Sequence, residues 1–274
     1  MTGVLVELRA VGIRHAHRNE GGSGNLTGLA YFFNNIVAVE QEAYRAADFS
    51  PRLLASEGHK AIGEYLQSVL ASVGITMNLE NQEWNTFLNT RKNGDYSIAR
   101  NGWIADYNDP ICFLDMWISN SGNNDVQFGR GDNENIAIYS MDLTPYGYDT
   151  KVENGTWAQT YDVLISAIKS CTDKDNRYAM MHIAEDMLMD SGCIVPLYYY
   201  TDIYMLDDTV HGFFSNPLGY KYFYKADVDG NTDSISVCIA SEPDVIDPAL
   251  NSAVDGATLD SHLFAGLAKW DTGS

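Results

Sequence analysis

The stretch from Ser56 to Ile104 constrains this chain most, because its apolar spacing alternates between the two periods that regular secondary structure allows. Ser56 suits a helix N-cap, and Ile62, Tyr65, Leu66, Val69, Leu70 and Val73 recur at helical spacing, which predicts a helix over 57–72 that Gly74 ends. Ile75, Met77 and Leu79 then alternate with polar residues as a strand does. Residues 83–92 predict a second helix with Trp84, Phe87 and Leu88 on one face, and Asn93-Gly94 marks a turn before a strand over 96–104. A helix, strand, helix, strand series buries its apolar faces as a sheet covered by helices, so the expected class is α/β.

The pattern resumes downstream. Residues 157–171 and 174–189 predict two helices, the second capped by Asp173, and 194–200 predicts a strand. Met180, Met181, Met187 and Met189 in the second helix are read as core. Between the two regular regions, 106–144 is rich in Asn, Asp, Gly and Ser and too long for a simple connector, so it is expected to be functional or locally structured. At the start, Arg9, Arg14, Arg18, His15 and His17 precede Gly21-Gly22-Ser23-Gly24, and residues 1–25 read as an arm and flexible linker. The aromatic and apolar run of 26–50 suggests no role. The Asp/Gly/Asn composition around 226–234 reads as a linker, after which Ile235, Val237 and Ile239 alternate as a strand over 235–240.

Charge excludes several partners. With 37 acidic and 17 basic side chains the net charge is −20, and so acidic a surface repels nucleic-acid backbones and anionic membranes. No stretch approaches the length and apolarity of a spanning helix, and Glu7 and Arg9 interrupt the apolar start expected of a signal peptide. Cys112, Cys171, Cys193 and Cys238 lie far apart without metal-ligand spacing and are expected to be buried free thiols.

The strongest chemical constellation is Asn101-Gly102-Trp103-Ile104-Ala105-Asp106-Tyr107-Asn108-Asp109-Pro110, where a predicted strand runs into a loop. Ligands of α/β sheets sit at strand ends. A carboxylate at Asp106 beside Trp103 and Tyr107 can anchor a cation, since aromatic walls lower the local dielectric; the commoner use of such an Asp is to cap a turn. Glu80 and Glu83 read as capping residues rather than an acid/base pair, and His59, His182, His211 and His262 as surface or packing residues. No nucleophile motif, metal cluster or phosphate-cradling loop occurs, so neither catalytic residues nor a metal or other cofactor is expected.

Several segments together resemble a known family. Ser56-Glu57-Gly58-His59-Lys60-Ala61-Ile62, Leu79-Glu80-Asn81-Gln82-Glu83-Trp84, Ala99 to Pro110, Ser119 to Asn124 and Ile194 to Tyr200 are similar, in this order, to the family 5 extracellular solute-binding proteins, above all to oligopeptide-binding subunits of peptide ABC importers. A further match is out of order: Val237 to Pro243, Ile246 to Leu250 and Leu263 to Leu267 resemble the family's amino-terminal signature, so the chain reads as a permuted and incomplete member. The resemblance implies a type II periplasmic-binding-protein-like lobe, a mixed sheet flanked by helices, with part of a second lobe. The domain expectation is an arm over 1–25, a carboxy-terminal lobe over 26–225 with 26–55 unassigned, a linker over 226–234 and a truncated amino-terminal segment over 235–274.

What the resemblance implies for function is peptide binding in the periplasm or outside the cell, for delivery to the membrane subunits of an ABC importer. On that reading Asp106 holds the peptide α-ammonium, Gly102, Trp103, Ile104 and Tyr107 line the site, and the backbone of Val254 contacts the peptide. The alternative is a rearranged or truncated single lobe that folds but does not bind peptide; a separate expectation is a partner chain that supplies the missing lobe.

Overall fold

The computed structural model describes residues 2–8, 52–56, 59–130, 138–201, 203–231, 233–239 and 242–271, with 2–8 and 52–56 as strand backbone. Gly3–Tyr198 forms one compact unit, and Tyr199–Ser274 with Met1–Thr2 forms the other.

In the first unit the elements run β1 (Thr2–Leu8), β2 (Arg52–Ser56), α1 (Lys60–Ser72), β3 (Asn78–Gln82), α2 (Trp84–Lys92), β4 (Ile98–Ile104), β5 (Ile138–Asp142), β6 (Lys151–Thr156), α3 (Trp157–Ser170), α4 (Lys174–Asp190) and β7 (Ile194–Tyr199). Five strands form one sheet in the order β3-β2-β4-β1-β7. β2 is parallel to both neighbours, with Leu53 opposite Leu79 on one side and Ile98 on the other, so α1 and α2 are the crossovers that parallel pairing demands. β5 and β6 make a separate antiparallel pair.

Most of the predicted elements form, with informative differences. Ser56 closes β2 instead of capping a helix, and α1 starts at Lys60 behind His59, which makes no side-chain cap. β2 itself escaped the sequence reading. Gly74, at φ 85°, does end the helix in a left-handed conformation that favours glycine. Glu83 caps α2 through the Asn85 and Thr86 amides, and Asp173 caps α4 through the Asn176 amide. Glu80 is not a cap: it lies within β3, where its carboxylate accepts from Gln82 Nε2 at 2.7 Å. Residues 2–8, expected as part of a flexible arm, pair into the middle of the sheet as β1; the remainder of that arm and the whole of 26–50 lie outside the described residues.

The long polar segment after β4 carries much of the core. Short 3-10 turns at Pro110–Phe113 and Asp115–Trp117 place Ile111, Leu114, Met116 and Trp117 in the interior, joined by Val126 and Phe128. They pack on Trp157, Tyr161, Leu164 and Ile168 of α3 and on Met180, Met181, Ala184, Met187 and Leu188 of α4, which makes the methionines core residues. The rings of Phe128, Trp157 and Tyr161 stack in series, with centroids 4.1 Å and 4.6 Å apart. The polar residues of this segment satisfy its own backbone: Asn124 both donates to the Phe128 carbonyl and accepts from the Phe128 amide.

The second unit is smaller and thinly packed. β8 (Val210–His211) pairs with β11 (Asp227–Val228), β9 (Phe214–Ser215) pairs with β10 (Lys221–Tyr222), and α5 spans Val254–Leu263. The stretch 226–234 is thus a paired strand and turn inside this unit rather than a linker between domains, because Asp, Asn and Gly serve tight turns as well as linkers: Asp229 and Gly230 both take positive φ. Gly212, at φ 73°, passes so close to Lys225 that an added Cβ would stand 2.1 Å from its carbonyl oxygen. Residues 235–239 join no strand, against the expectation from their alternation, since alternation supplies a face but no neighbour. Cys112 and Cys193 are buried free thiols, whereas Cys171 is partly exposed and Cys238 exposed.

Within the first unit, the Arg91 Nε to Asp125 Oδ2 ion pair, 2.6 Å long with both side chains nearly buried, joins α2 to the segment after β4. Burial pushes the Asp125 carboxyl above its ordinary range despite the guanidinium. Replacing Arg91 by Met strands that carboxylate, and urea denaturation should show a loss of about 3 kcal/mol, with Asp125→Asn in the same background recovering part of it.

Candidate functional site

β4 positions the candidate site. Its first four residues, Ile98 to Asn101, are buried, and the burial relaxes over Gly102, Trp103 and Ile104 as the strand leaves the sheet. The Asn101 side chain accepts from the Gly102 amide at 2.7 Å, and Trp103 packs against the main core. Ala105 is buried, and Asp106, Tyr107 and Asn108 then emerge into solvent. Gly102, Trp103, Ile104, Asp106 and Tyr107 therefore follow one another at the carboxyl end of a strand in the parallel part of the sheet. Val254 opens α5 in the other unit with an exposed side chain.

Asp106 makes no hydrogen bond or ion pair with the described residues. Although the residue is exposed as a whole, desolvation of its carboxyl, and then the negative charge of Asp115, hold it above the usual carboxylate range. Asp115 in turn receives Lys169 Nζ of α3 at 2.8 Å. Another carboxylate of the loop is fully engaged. Asp109 caps the turn at Pro110 by accepting from the Ile111 amide and receives both Nη atoms of Arg177, at 2.8 Å and 3.0 Å. Burial works against its ionisation, yet the Arg177 and Ile111 hydrogen bonds outweigh it and hold the Asp109 carboxyl low. The capping role weighed for Asp106 thus belongs to Asp109, and Asp106 has no cation among the described residues. A cationic ligand is what such a group can accept chemically, because pairing relieves both its desolvation and its repulsion by Asp115.

Arg100 was quoted in the sequence motif without a role. It is buried in β4, hydrogen-bonds with Tyr198 of β7, and is lowered to about 10, chiefly by burial. Burial and then the Arg100 charge also lower His59 to about 4, so this histidine stays neutral across the physiological range. Lys169, Asp115 and Arg177 left no local signal, since a lone charged residue on a predicted helix or loop reads as solvated. A cleft of about 480 Å³, lined by Ile118, Ser119, Asn120, Asp162, Ile165, Ser166, Lys169 and Ser170, contains none of the expected site residues. No group of three or more His, Cys, Asp or Glu among the described residues has metal-binding geometry.

Comparison with known proteins shows what the chain is similar to. Residues 53–125, which contain α1, β3, α2, β4 and the Asp106 loop, match the family described as bacterial extracellular solute-binding proteins, family 5 Middle. Over those residues the chain is similar to that family. It is 31% identical over 164 residues to the dipeptide-binding protein DppE of Bacillus subtilis, covering 59% of this chain and 25% of DppE. To the periplasmic oligopeptide-binding protein OppA of Salmonella typhimurium it is 31% identical over 159 residues, covering 58% of this chain and 24% of OppA. Among solved structures, OppA of Burkholderia pseudomallei superposes with a TM-score of 0.50 at 24% identity, over 67% of this chain and 32% of that one. OppA of Listeria monocytogenes bound to peptide gives 0.50 at 21%, over 68% and 31%. The fold is that of a type II periplasmic binding protein, in part: the chain spans about a quarter of the length of the curated relatives it matches.

The elevated Asp106 carboxyl has a consequence for stability. A folded-state pKa above the unfolded one makes ionisation unfavourable to the fold, so stability is full at low pH and declines as pH rises through the folded value. Asp106→Asn should therefore melt at a higher temperature than the parent at pH 7, with the difference vanishing near pH 3; differential scanning calorimetry at both pH values checks this. Lys169→Met, which frees the Asp115 charge, should raise the Asp106 titration midpoint further, as read by carboxyl ¹³C NMR.

Proposed function

We propose that this chain is the peptide-holding part of an extracytoplasmic binding protein that delivers oligopeptides to an ABC importer, and that Asp106 takes the α-ammonium of the peptide. The observation that carries this reading is the state of Asp106: a partly desolvated carboxylate at the carboxyl end of a parallel strand, without a protein cation among the described residues, while its loop neighbours Asp109 and Asp115 each have one. Relatives whose names are dipeptide-binding and oligopeptide-binding proteins, several of them periplasmic, support the ligand class and the compartment. On this reading Trp103 and Tyr107 wall the ammonium site, and Gly102 and Ile104 offer backbone along which a peptide lies as an added strand. The chain then acts as a binder and handover partner for membrane subunits rather than as a catalyst.

One observation favours a second reading, in which the chain folds yet binds nothing until further polypeptide completes it. Of the described residues in 199–271, only Leu218 and Tyr222 are buried hydrophobics, while Ile203, Met205, Leu250, Leu263 and Leu267 stand well exposed. A unit with so little core is suited to packing against the rest of a lobe, supplied in the same chain or by a partner.

Calorimetry with trialanine and N-acetyl-trialanine tests the anchor. The free-amine peptide should bind and the acetylated one should not, and Asp106→Asn should cost the free-amine peptide about 2 to 5 kcal/mol. Equal affinity for the two peptides refutes the ammonium anchor. A cooperative melt that no peptide shifts decides for the second reading.

A further inference from the structure

We propose that Arg177 is a positioning residue for Asp106: by clamping Asp109 with two hydrogen bonds it fixes where the Asp106 carboxylate stands. The proposal rests on the reading of Asp106 as the ligand anchor, and goes beyond it in naming what holds that anchor in place.

The geometry is a short loop pinned at both ends. Ala105 and Ile111 are each 2% exposed, and the residues between them reach solvent. Such a loop has no regular hydrogen-bond ladder, so its shape depends on a few side-chain contacts. Asp109 supplies them. Its amide donates to the Tyr107 carbonyl at 2.8 Å, and its Oδ1 accepts from the Ile111 amide at 2.9 Å. Arg177 Nη1 then donates to Oδ2 at 2.8 Å and Nη2 to Oδ1 at 3.0 Å. The planar guanidinium fixes the carboxylate's direction as well as its distance, which the single ammonium of a lysine does not.

Arg177 is itself well placed to act as a fixed point. It lies in the first turn of α4, where its amide donates to the Asp173 carbonyl at 3.0 Å, and α4 is anchored in the core by Met180, Met181, Ala184, Met187 and Leu188. The clamp therefore ties the exposed loop to a rigid helix that is distant in sequence. Asp106 is three residues before Asp109, close enough for the clamp to set its exposure to water and its approach to Asp115. Asp115, the charge that bears on Asp106, is itself paired with Lys169.

The test is the Asp106 carboxyl titration followed by ¹³C NMR in the full chain, with Asp106→Asn assigning the signal. In Arg177→Met the loop should loosen into water and the midpoint should fall toward the ordinary value of about 3.9. Arg177→Lys should lie between Met and the parent. Asp109→Asn, which keeps an oxygen for the Ile111 amide but loses the ion pair, should reproduce the fall even if Arg177→Met folds poorly. An Asp106 midpoint that stays at the parental value in Arg177→Met, or in Asp109→Asn if the former does not fold, overturns the proposal. Calorimetry separates this from the anchor reading: Arg177→Met should reduce the preference for trialanine over N-acetyl-trialanine about tenfold, as for groups coupled in one network. Loss of preference in Asp106→Asn with an unmoved midpoint in Arg177→Met rejects positioning alone. A shifted midpoint with no effect of Asp106→Asn on binding rejects the anchor and leaves the clamp.

Discussion

A segment of irregular backbone has to be held still for this unit to present a site, and the aromatic series Phe128, Trp157 and Tyr161 is the interaction on which that depends. Among its described residues, the segment after β4 has two short 3-10 turns and little other regular structure. Its backbone groups cannot find partners in a ladder, so they find them in side chains: Tyr161 donates to the Leu114 carbonyl at 2.8 Å, Asp162 accepts from the Ser119 amide at 2.9 Å, and Arg130 Nη2 donates to the Ser121 carbonyl at 3.0 Å. The stacked rings supply the apolar burial against which these bonds close. Trp157 also ties α3 to α4 by donating to the Met187 carbonyl at 3.1 Å.

The same segment sorts its carboxylates. Asp125 is given to Arg91, Asp115 to Lys169 and Asp109 to Arg177, each cation coming from a helix that packs on the loop. In a chain with twenty more acidic than basic side chains, cations are the scarce resource, and where they are placed decides which carboxylates are structural. Asp106 receives none among the described residues, and its raised carboxyl follows from burial and the neighbouring Asp115. A group that is costly to ionise in the empty protein is one whose pairing with an ammonium is rewarded, and this is the physical link between the fold and the proposed binding.

The second unit obeys a different balance. It is held by small hairpins and by local contacts such as the His262 ring, which stacks on Phe223 with centroids 3.7 Å apart and accepts from the Phe223 amide at 3.0 Å. Because that imidazole nitrogen accepts, His262 is a packing residue, as its lack of metal-ligating neighbours suggested. The alternating segment 235–239 has the face of a strand without a neighbour to pair with, and the exposed apolar side chains around it have no core of their own to enter.

Much of the fold was legible in the sequence. The helical and strand periods located α1, α2, α3, α4, β3, β4 and β7, and Glu83 and Asp173 marked helix starts, because period and capping are properties of neighbours along the chain. The Gly102 to Asp109 segment stood out by local composition, and the ordered series of motifs pointed to family 5. Tertiary structure decided the rest. Ser56 closes a strand, residues 2–8 join the sheet, and 235–239 stay unpaired, since strand pairing is chosen by partners remote in sequence. Likewise, local sequence left Asp106 open as either a turn cap or a ligand anchor. Only the arrival of Arg177 from a distant helix engages Asp109 at the turn and leaves Asp106 without a cation among the described residues, because which carboxylate is neutralised depends on proximity in space and not along the chain.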